Sequence, residues 1–513
     1  MKYILTPEFH RNIWLKFSAF RLAVAPVFLL LLTVTAINLT REVSSYILIY
    51  SLVSIYIVVT VLWGCFEASS AVQEELRTNT WDFQRMSSIT PAQLVFGKFF
   101  GCTSYVWYFG LLTLAIFVYI FGFYTPPVAV GAVAPLTQTA NLHDLFFACL
   151  YLLFTGLIGQ SLSFLVSLIA MTAFAGRTGK YRQPRPGNAF IAGVIAAYMV
   201  FSNIAVEVSR DLSEKFALSH SYSASIFERH PVYHWFQWDI SAEVFITASL
   251  TFFLFWFLFG SYRIARSELM YGTTPIGWAG FMGTLLVYCL GLTEPSKALY
   301  HGQLFSIFAL MTFLTYAVMV FEAADTRKYA RFAGYLSEGR WMKAFENMHK
   351  WVVSVPFVLA VYVITMLQVP NQGRFFGFME TGGLMLSMMM FALRDGFIVH
   401  AIFRTGDGRN AAFKIVSYYV LVYLLLPTLH FSTASIKVEV WYWLINMMRM
   451  GLMGEVPAIV KTAAYYFPTP FSDYTLNVLP AFLEAAVAGG ILLWLIRWQN
   501  LRNNRSSLEK PAV

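Results

Sequence analysis

Residues 241–262 read SAEVFITASLTFFLFWFLFGSY, an unbroken apolar run whose one charge is Glu243. At about 1.5 Å per residue such a helix spans the roughly 30 Å hydrocarbon core of a bilayer. Eleven further runs share this character, so the sequence predicts twelve membrane spans: 22–39, 46–66, 92–122, 145–174, 189–206, 241–262, 276–292, 302–321, 352–368, 379–403, 415–430 and 476–496. A transmembrane β-barrel would instead alternate apolar and polar residues in segments of about 10. Composition agrees with the helical reading. Of the 513 residues, 58% are apolar and 12% charged, about half the charge of a typical soluble domain. That leaves too little polar surface for a soluble multidomain enzyme. The net charge of +9 is scattered in small groups between apolar runs, which argues against a nucleic-acid interface.

Charge also sets the direction of the spans. With the N-terminus in the cytoplasm, 27 of the 36 Lys and Arg residues fall on the cytoplasmic side and nine outside. This asymmetry is the positive-inside pattern, and it places both termini in the cytoplasm. Deleting one span would invert every later loop. The basic balance is then the cytoplasmic skin of a protein lying against anionic lipid headgroups. Cys65, Cys102, Cys149 and Cys289 all sit within apolar runs without metal-ligand spacing, and read as buried thiols. Thr6-Pro7-Glu8 reads as a helix start. Phe9, Ile13, Phe17 and Phe20 then form a stripe, with Arg11, Lys16 and Arg21 off it. This predicts an amphipathic helix in the membrane interface rather than a cleaved signal peptide.

The chain repeats itself. Phe66-Glu67-Ala68 ends the second span and Phe321-Glu322-Ala323 ends the eighth. Arg177-Thr178-Gly179, with Asn188-Ala189-Phe190 beyond it, is matched by Arg404-Thr405-Gly406 and Asn410-Ala411-Ala412-Phe413. Two matches in order predict two homologous six-span halves, 1–262 and 263–496, followed by a basic tail at 497–513. Six is even, so the halves insert the same way up, as a parallel repeat.

Residues 66–101, FEASSAVQEELRTNTWDFQRMSSITPAQLVFGKFFG, carry the strongest motif. Thr90-Pro91-Ala92-Gln93 is a capping box with proline at the first helical position, and Asn79 or Thr80 can cap a short helix before it. That short helix, with Glu74, Glu75, Asp82 and Arg85 beside Trp81 and Phe83, would face solvent between two spans. The segment resembles the signature region of type-2 ABC exporter permeases, in which a helix ends in Glu at the cytoplasmic face, a short cytoplasmic helix follows, and Gly-Lys opens the next span. The matching residues are Glu67, Glu75, Thr80, Trp81, Asp82, Pro91, Gly97 and Lys98. The resemblance implies a permease subunit served by two cytoplasmic ATPase chains, which would carry the ATP and Mg. It implies ATPase contact through Glu67, Glu74, Glu75, Thr80, Trp81, Asp82, Phe83 and Arg85, with Glu322 and Arg340 as second-half counterparts. It also implies re-entrant helices in the external segments 207–240 and 431–475. Residues 322–351 keep Glu322 but lose the Thr-Trp-Asp and Pro pattern, so the second contact is expected to be weaker.

The chain itself shows no ATPase. Gly97-Lys98-Phe99 and Gly179-Lys180-Tyr181 both lack the hydroxyl residue and upstream glycine of a P-loop. No catalytic triad can be assembled from local spacing, and no metal site is expected. His230 and His234 are four apart but flank Pro231, with His220 nearby. Met385, Met388, Met389 and Met390 read as packing or lipid-facing residues rather than a copper site. Glu484 within the twelfth span and Arg394-Asp395 within the tenth are intramembrane charges, which are costly and therefore candidates for function. The reading is a polytopic all-α exporter permease of the cell membrane, the bacterial inner membrane in particular, with membrane lipid around it and an amphipathic or lipid-like substrate. An ion-coupled twelve-span secondary transporter is the first alternative. A lipid-modifying membrane enzyme is the second.

Overall fold

The computed structural model describes residues 7–40, 45–78, 80–123, 142–178, 190–191, 193–195, 197–198, 232–293, 300–322, 326–368, 378–405, 411–425 and 474–508. Among these, eight helices are long and apolar enough to cross a membrane: Ser51–Arg77, Pro91–Tyr119, Leu145–Met171, Ala242–Glu268, Gly302–Val320, Lys350–Leu367, Gly382–Thr405 and Val478–Trp498. A ninth is reached if Pro7–Lys16 and Ala19–Thr35, bent by 62°, count as one span. The protein is therefore a multi-pass helical membrane protein, with fewer full-length spans described than the twelve expected. Ile276–Gly291 and Lys414–Leu425 are apolar but shorter. At 16 residues the first of these reaches only about 24 Å, short of the hydrocarbon core. The span expected at 189–206 is described only at scattered positions up to 198.

The chain forms two compact units, Met1–Tyr233 with Asp239–Thr273, and His234–Trp238 with Thr274–Val513. In the first unit, α1 (Pro7–Lys16) leads through the bend into α2 (Ala19–Thr40). The second expected span is α3 (Ser45–Ile57), a π-helical turn at Val58–Trp63, and α4 (Gly64–Arg77). A π turn frees a backbone carbonyl, and here Gln160 Nε2 donates to Thr60 O at 2.8 Å while Trp107 Nε1 donates to Gln160 Oε1 at 2.9 Å. Gly64 makes this possible, because a Cβ there would sit 2.3 Å from Gln160 Nε2. Ser167 Oγ donates to Ser69 O at 2.8 Å. Small residues and inter-helix hydrogen bonds of this kind hold helices together in lipid, where apolar burial gives no preference for protein over acyl chain. Next come α5 (Trp81–Arg85), α6 (Pro91–Phe123), α7 (Leu142–Thr178) and α8 (Ala242–Glu268). Between α7 and α8 the chain forms a two-stranded hairpin, β1 (Val232–Trp235) and β2 (Trp238–Ser241), whose residues His234–Trp238 belong to the second unit. The hairpin corrects the expectation of a re-entrant helix in 207–240 for its described part. Phe236 takes φ 55 at the turn, between two short strands rich in aromatic side chains. Of 431–475, only the last two residues are described, at the start of the final helix.

The second unit holds α9 (Ile276–Gly291), α10 (Tyr300–Glu322), α11 (Thr326–Ser337), α12 (Trp341–Glu346), α13 (Lys350–Gln368), α14 (Phe378–Thr405), α15 (Ala411–Val420) with its π-helical extension Leu421–Leu425, and α16 (Tyr474–Leu508). α16 buries Ala481, Ala485, Ala488, Leu492 and Leu495, a 4-3-4-3 spacing that makes one narrow stripe. Its alanines let α14 approach closely, and a Cβ on Gly489 would already stand 3.3 Å from Phe397. Met385 and Met389 are buried, while Met388 and Met390 are half-buried.

Candidate functional site

The connection between the second and third expected spans is the most highly organised polar region of the first unit. α4 runs on to Arg77, and Thr78 caps it by donating from Oγ1 to Glu74 O at 2.9 Å. The expected capping box closes the other side: Thr90 N donates to Gln93 Oε1 at 3.1 Å, and Gln93 N to Thr90 Oγ1 at 3.3 Å. α5 lies between. Thr80 occupies its N-cap position without a side-chain cap bond; its hydroxyl pairs with that of Thr78 at 3.0 Å. Asn79 and the side chain of Arg85 lie outside the described residues.

Below α5 the helix α1 turns inward a face the sequence did not predict. Its buried residues are Glu8 and Asn12, not the Phe stripe. Asn12 fits because α6 offers Gly97 and Gly101: Asn12 Nδ2 donates to Gly97 O at 3.2 Å, and a Cβ on Gly101 would meet Asn12 Cβ at 2.7 Å. Glu75 is buried between Arg11 (3.0 Å), Gln84 and Lys98. Glu8 receives Arg11 at 3.3 Å, Gln84 at 3.4 Å and Lys98 at 3.4 Å. Two carboxylates thus face two cations, and Gln84 of α5 donates to both acids. Buried ions are tolerated when paired and hydrogen-bonded. Both carboxylates here are paired, while Gln84 Oε1 is buried without a hydrogen-bond partner among the described residues. The cluster ties α1, α4, α5 and α6 into one body. Glu67 sits outside it, held by Lys16 at 2.5 Å and Trp63 Nε1 at 3.2 Å. Glu74 is exposed and pairs with Arg77 at 3.2 Å.

The aromatic pair on α5 is split. Trp81 is 1% exposed, packed with Ala68, Val72, Leu76, Leu94, Phe99, Phe164 and Leu168, and Lys98 Nζ stands 5.5 Å from its ring centre. The expectation that Trp81 anchors a partner is therefore corrected: its indole is already part of this chain's core. Phe83 is 72% exposed and Asp82 is exposed beside it.

In the second unit Glu322 ends α10. It accepts from Lys328 Nζ at 2.8 Å and from the Lys350 backbone N–H at 2.7 Å, and His349 Nδ1 stands 3.4 Å away. Burial alone would raise its pKa, but His349, Lys328 and Lys350 together hold the carboxyl down to about 2. His349 and His400 are both buried around Tyr329, with ring centres 3.9 and 5.4 Å from it. Burial pushes the Tyr329 phenol up to about 12. A short helix, α12, stands in the second connection although the Thr-Trp-Asp pattern is lost there. It starts after Arg340, which pairs with Glu338 at 3.1 Å and lies over the Tyr335 ring at 5.9 Å. Trp341 is 71% exposed.

The intramembrane charges meet. Arg394 Nε donates to Asp395 Oδ1 at 2.8 Å, its NH2 donates to the Tyr423 hydroxyl at 2.8 Å, and its NH1 reaches Glu484. Asp395 also accepts from the Tyr418 hydroxyl at 2.6 Å and the Tyr423 hydroxyl at 2.5 Å. The local Arg394-Asp395 pair read from the sequence is thus one part of a network across α14, α15 with its extension, and α16. It holds two carboxylates and one guanidinium.

Sequence reasoning missed Arg11 and Gln84 as partners of Glu75, Glu8 as a second carboxylate on the same donors, Asn12 as a donor to Glu8 and to Gly97 O, and Tyr418 and Tyr423 as partners of Asp395. A polar residue opposite an apolar stripe reads as solvent-facing, and tyrosines at a span end read as an interfacial belt. His220 and His230 lie outside the described residues, and His234 is in β1. No group of three metal-ligating side chains occurs among the described residues. Comparison with protein-family models, curated proteins and solved structures finds no match to the chain.

Proposed function

We propose that this chain is the membrane-domain subunit of an ATP-driven exporter. Two ATPase chains would dock on its cytoplasmic face and carry the ATP and Mg, and an amphipathic or lipid-like substrate would move through the membrane domain. In this reading the spans number twelve in two parallel halves, both termini are cytoplasmic, and the membrane is a bacterial inner membrane. The observation that carries the proposal is the clamping of α5. This five-residue helix presents Phe83 outward while Gln84 bonds both Glu8 and Glu75. A displacement of α5 would therefore reach α1, α4 and α6 together, with little loss in flexible joints. ATP-driven closure of a docked pair of ATPases is a force such a lever suits.

Copurification from the native membrane tests it. The expected result is an ATPase chain bound in about equal amount, whose turnover depends on this subunit. A chain that purifies without an ATPase, yet moves substrate in vesicles under an ion gradient, would overturn it. That outcome would favour the secondary-transporter reading, which the Arg394–Asp395–Glu484 network supports, because an unequal set of charges within a span is a common feature of ion pathways.

A further inference from the structure

The connection 322–350 is more basic than the first connection. Residues 67–98 hold four acids and three bases, whereas 322–350 hold four acids and six bases. On α12, Trp341 and Met342 are 71% and 80% exposed, and Phe345 is exposed beside them. These positions are spaced i, i+1 and i+4, so they share one side of the helix, while Ala344 packs inward. Arg340 and Lys343 flank this apolar side and are exposed, and Leu336 adds an exposed apolar residue at the end of α11. Only three residues separate α12 from Lys350, the first residue of a membrane-spanning helix. At no more than about 3.5 Å per residue, that tether keeps α12 close to the bilayer surface.

We infer that α12 and the end of α11 lie on the anionic cytoplasmic leaflet, with Trp341, Met342 and Phe345 in the headgroup boundary and Arg340 and Lys343 against lipid phosphates. Exposed tryptophan with flanking cations is the pairing that partitions into that boundary. Over 322–350 the bases exceed the acids by two, which anionic headgroups complement. At α12 itself Arg340 and Lys343 are balanced by Glu338 and Glu346, so the choice of lipid over a protein groove rests on the exposed tryptophan and the short tether to Lys350. The inference goes beyond the transport reading and needs only that 322–350 face the cytoplasm.

The test places a nitroxide at Met342→Cys in the full chain, held in nanodiscs, with the unsubstituted chain as the labelling blank. A second label at Met86→Cys, exposed near α5, serves as the comparison. In discs with about 30 mol % anionic lipid, position 342 is expected to favour oxygen over a water-soluble relaxation agent at least threefold more than position 86 does. The preference is expected to fall in zwitterionic discs, in about 1 M salt, and in the Arg340→Glu, Lys343→Glu double variant. Equal aqueous exposure at 342 and 86 in anionic discs would overturn the inference. So would insensitivity to lipid charge, or protection of 342 that appears only when an ATPase chain is bound. ATPase copurification is scored separately, so either idea can fail alone.

Discussion

Each unit joins two spanning helices through a short helix that opens with tryptophan, and the two treat that residue oppositely. Trp81 is enclosed by α4, α6 and α7, whereas Trp341 stands in the open. The difference lies in what each connection has beneath it. α4 continues as a straight extension whose Ala68, Val72 and Leu76 offer a flat apolar floor, and α1 supplies polar partners from the side. In the second connection α10 ends at Glu322 and the described chain resumes with α11 at Thr326. Its carboxylate, Glu322, is satisfied by Lys328 and by the backbone of Lys350, none of which belongs to α12. One short helix is built into its unit, and the other is laid upon it.

The two tryptophans give the largest expected contrast. Trp81→Ala removes a fully enclosed indole and should destabilise the first unit by about 3–5 kcal/mol, read as a lower midpoint of thermal unfolding in detergent. Trp341→Ala should change it by less than about 0.5 kcal/mol. Similar losses from both would mean that the second connection is as tightly built as the first.

The buried charges sharpen the same contrast. Glu75→Ala leaves Lys98, enclosed at 1% exposure, facing only Glu8 at 3.4 Å, and should cost about 3 kcal/mol or more. The matching loss at Glu322 depends on pH. Its folded pKa of about 2 lies below the roughly 4.3 of an unfolded glutamate. Its contribution is therefore fully present above about pH 4.3 and lost as pH falls towards 2, and a shift of that size corresponds to about 2–3 kcal/mol. The wild-type chain should lose that much stability on acidification across the window, and Glu322→Gln should flatten that part of the profile. An unchanged profile in the variant would remove Glu322 from the account.

How far the sequence reached follows the range of each interaction. The capping box Thr90–Gln93 was legible because both bonds close within four residues. The apolar runs were legible because length alone decides whether a helix can cross. The inward face of α1 was not legible: Glu8 and Asn12 are buried by partners 76 to 90 positions away, and without those partners the Phe stripe is the better guess. The burial of Trp81 depends in the same way on Phe164 and Leu168 of α7. Arg394 and Glu484 were each conspicuous, but a separation of 90 residues hid that they pair. The short helix at Trp341 has Arg340 at its N-cap position, not a capping residue type, whereas Asn79 and Thr80 marked the start of its counterpart.

The smallest effect on stability carries the largest functional weight. Phe83 is 72% exposed, so Phe83→Ala should alter the unfolding midpoint by no more than about 0.5 kcal/mol. If α5 is the lever of an ATP-driven exporter, Phe83 is its outward aromatic anchor, and anchors of this type carry about 2 kcal/mol or more of an interface. Copurification of the ATPase should then fall at least about tenfold, and substrate-stimulated turnover should fall with it. Lys343→Glu should leave both unchanged, because α12 is assigned to lipid. The control matters as much as the loss. Trp81→Ala would also weaken ATPase binding, but only by unfolding the clamp, and its lower unfolding midpoint would show that. A Phe83→Ala chain that stays folded and still binds and drives the ATPase at wild-type level would separate the clamp around Glu75 from any coupling role. The cluster would then be a device for holding α1 against α6, and the resemblance in residues 66–101 would carry no consequence for function.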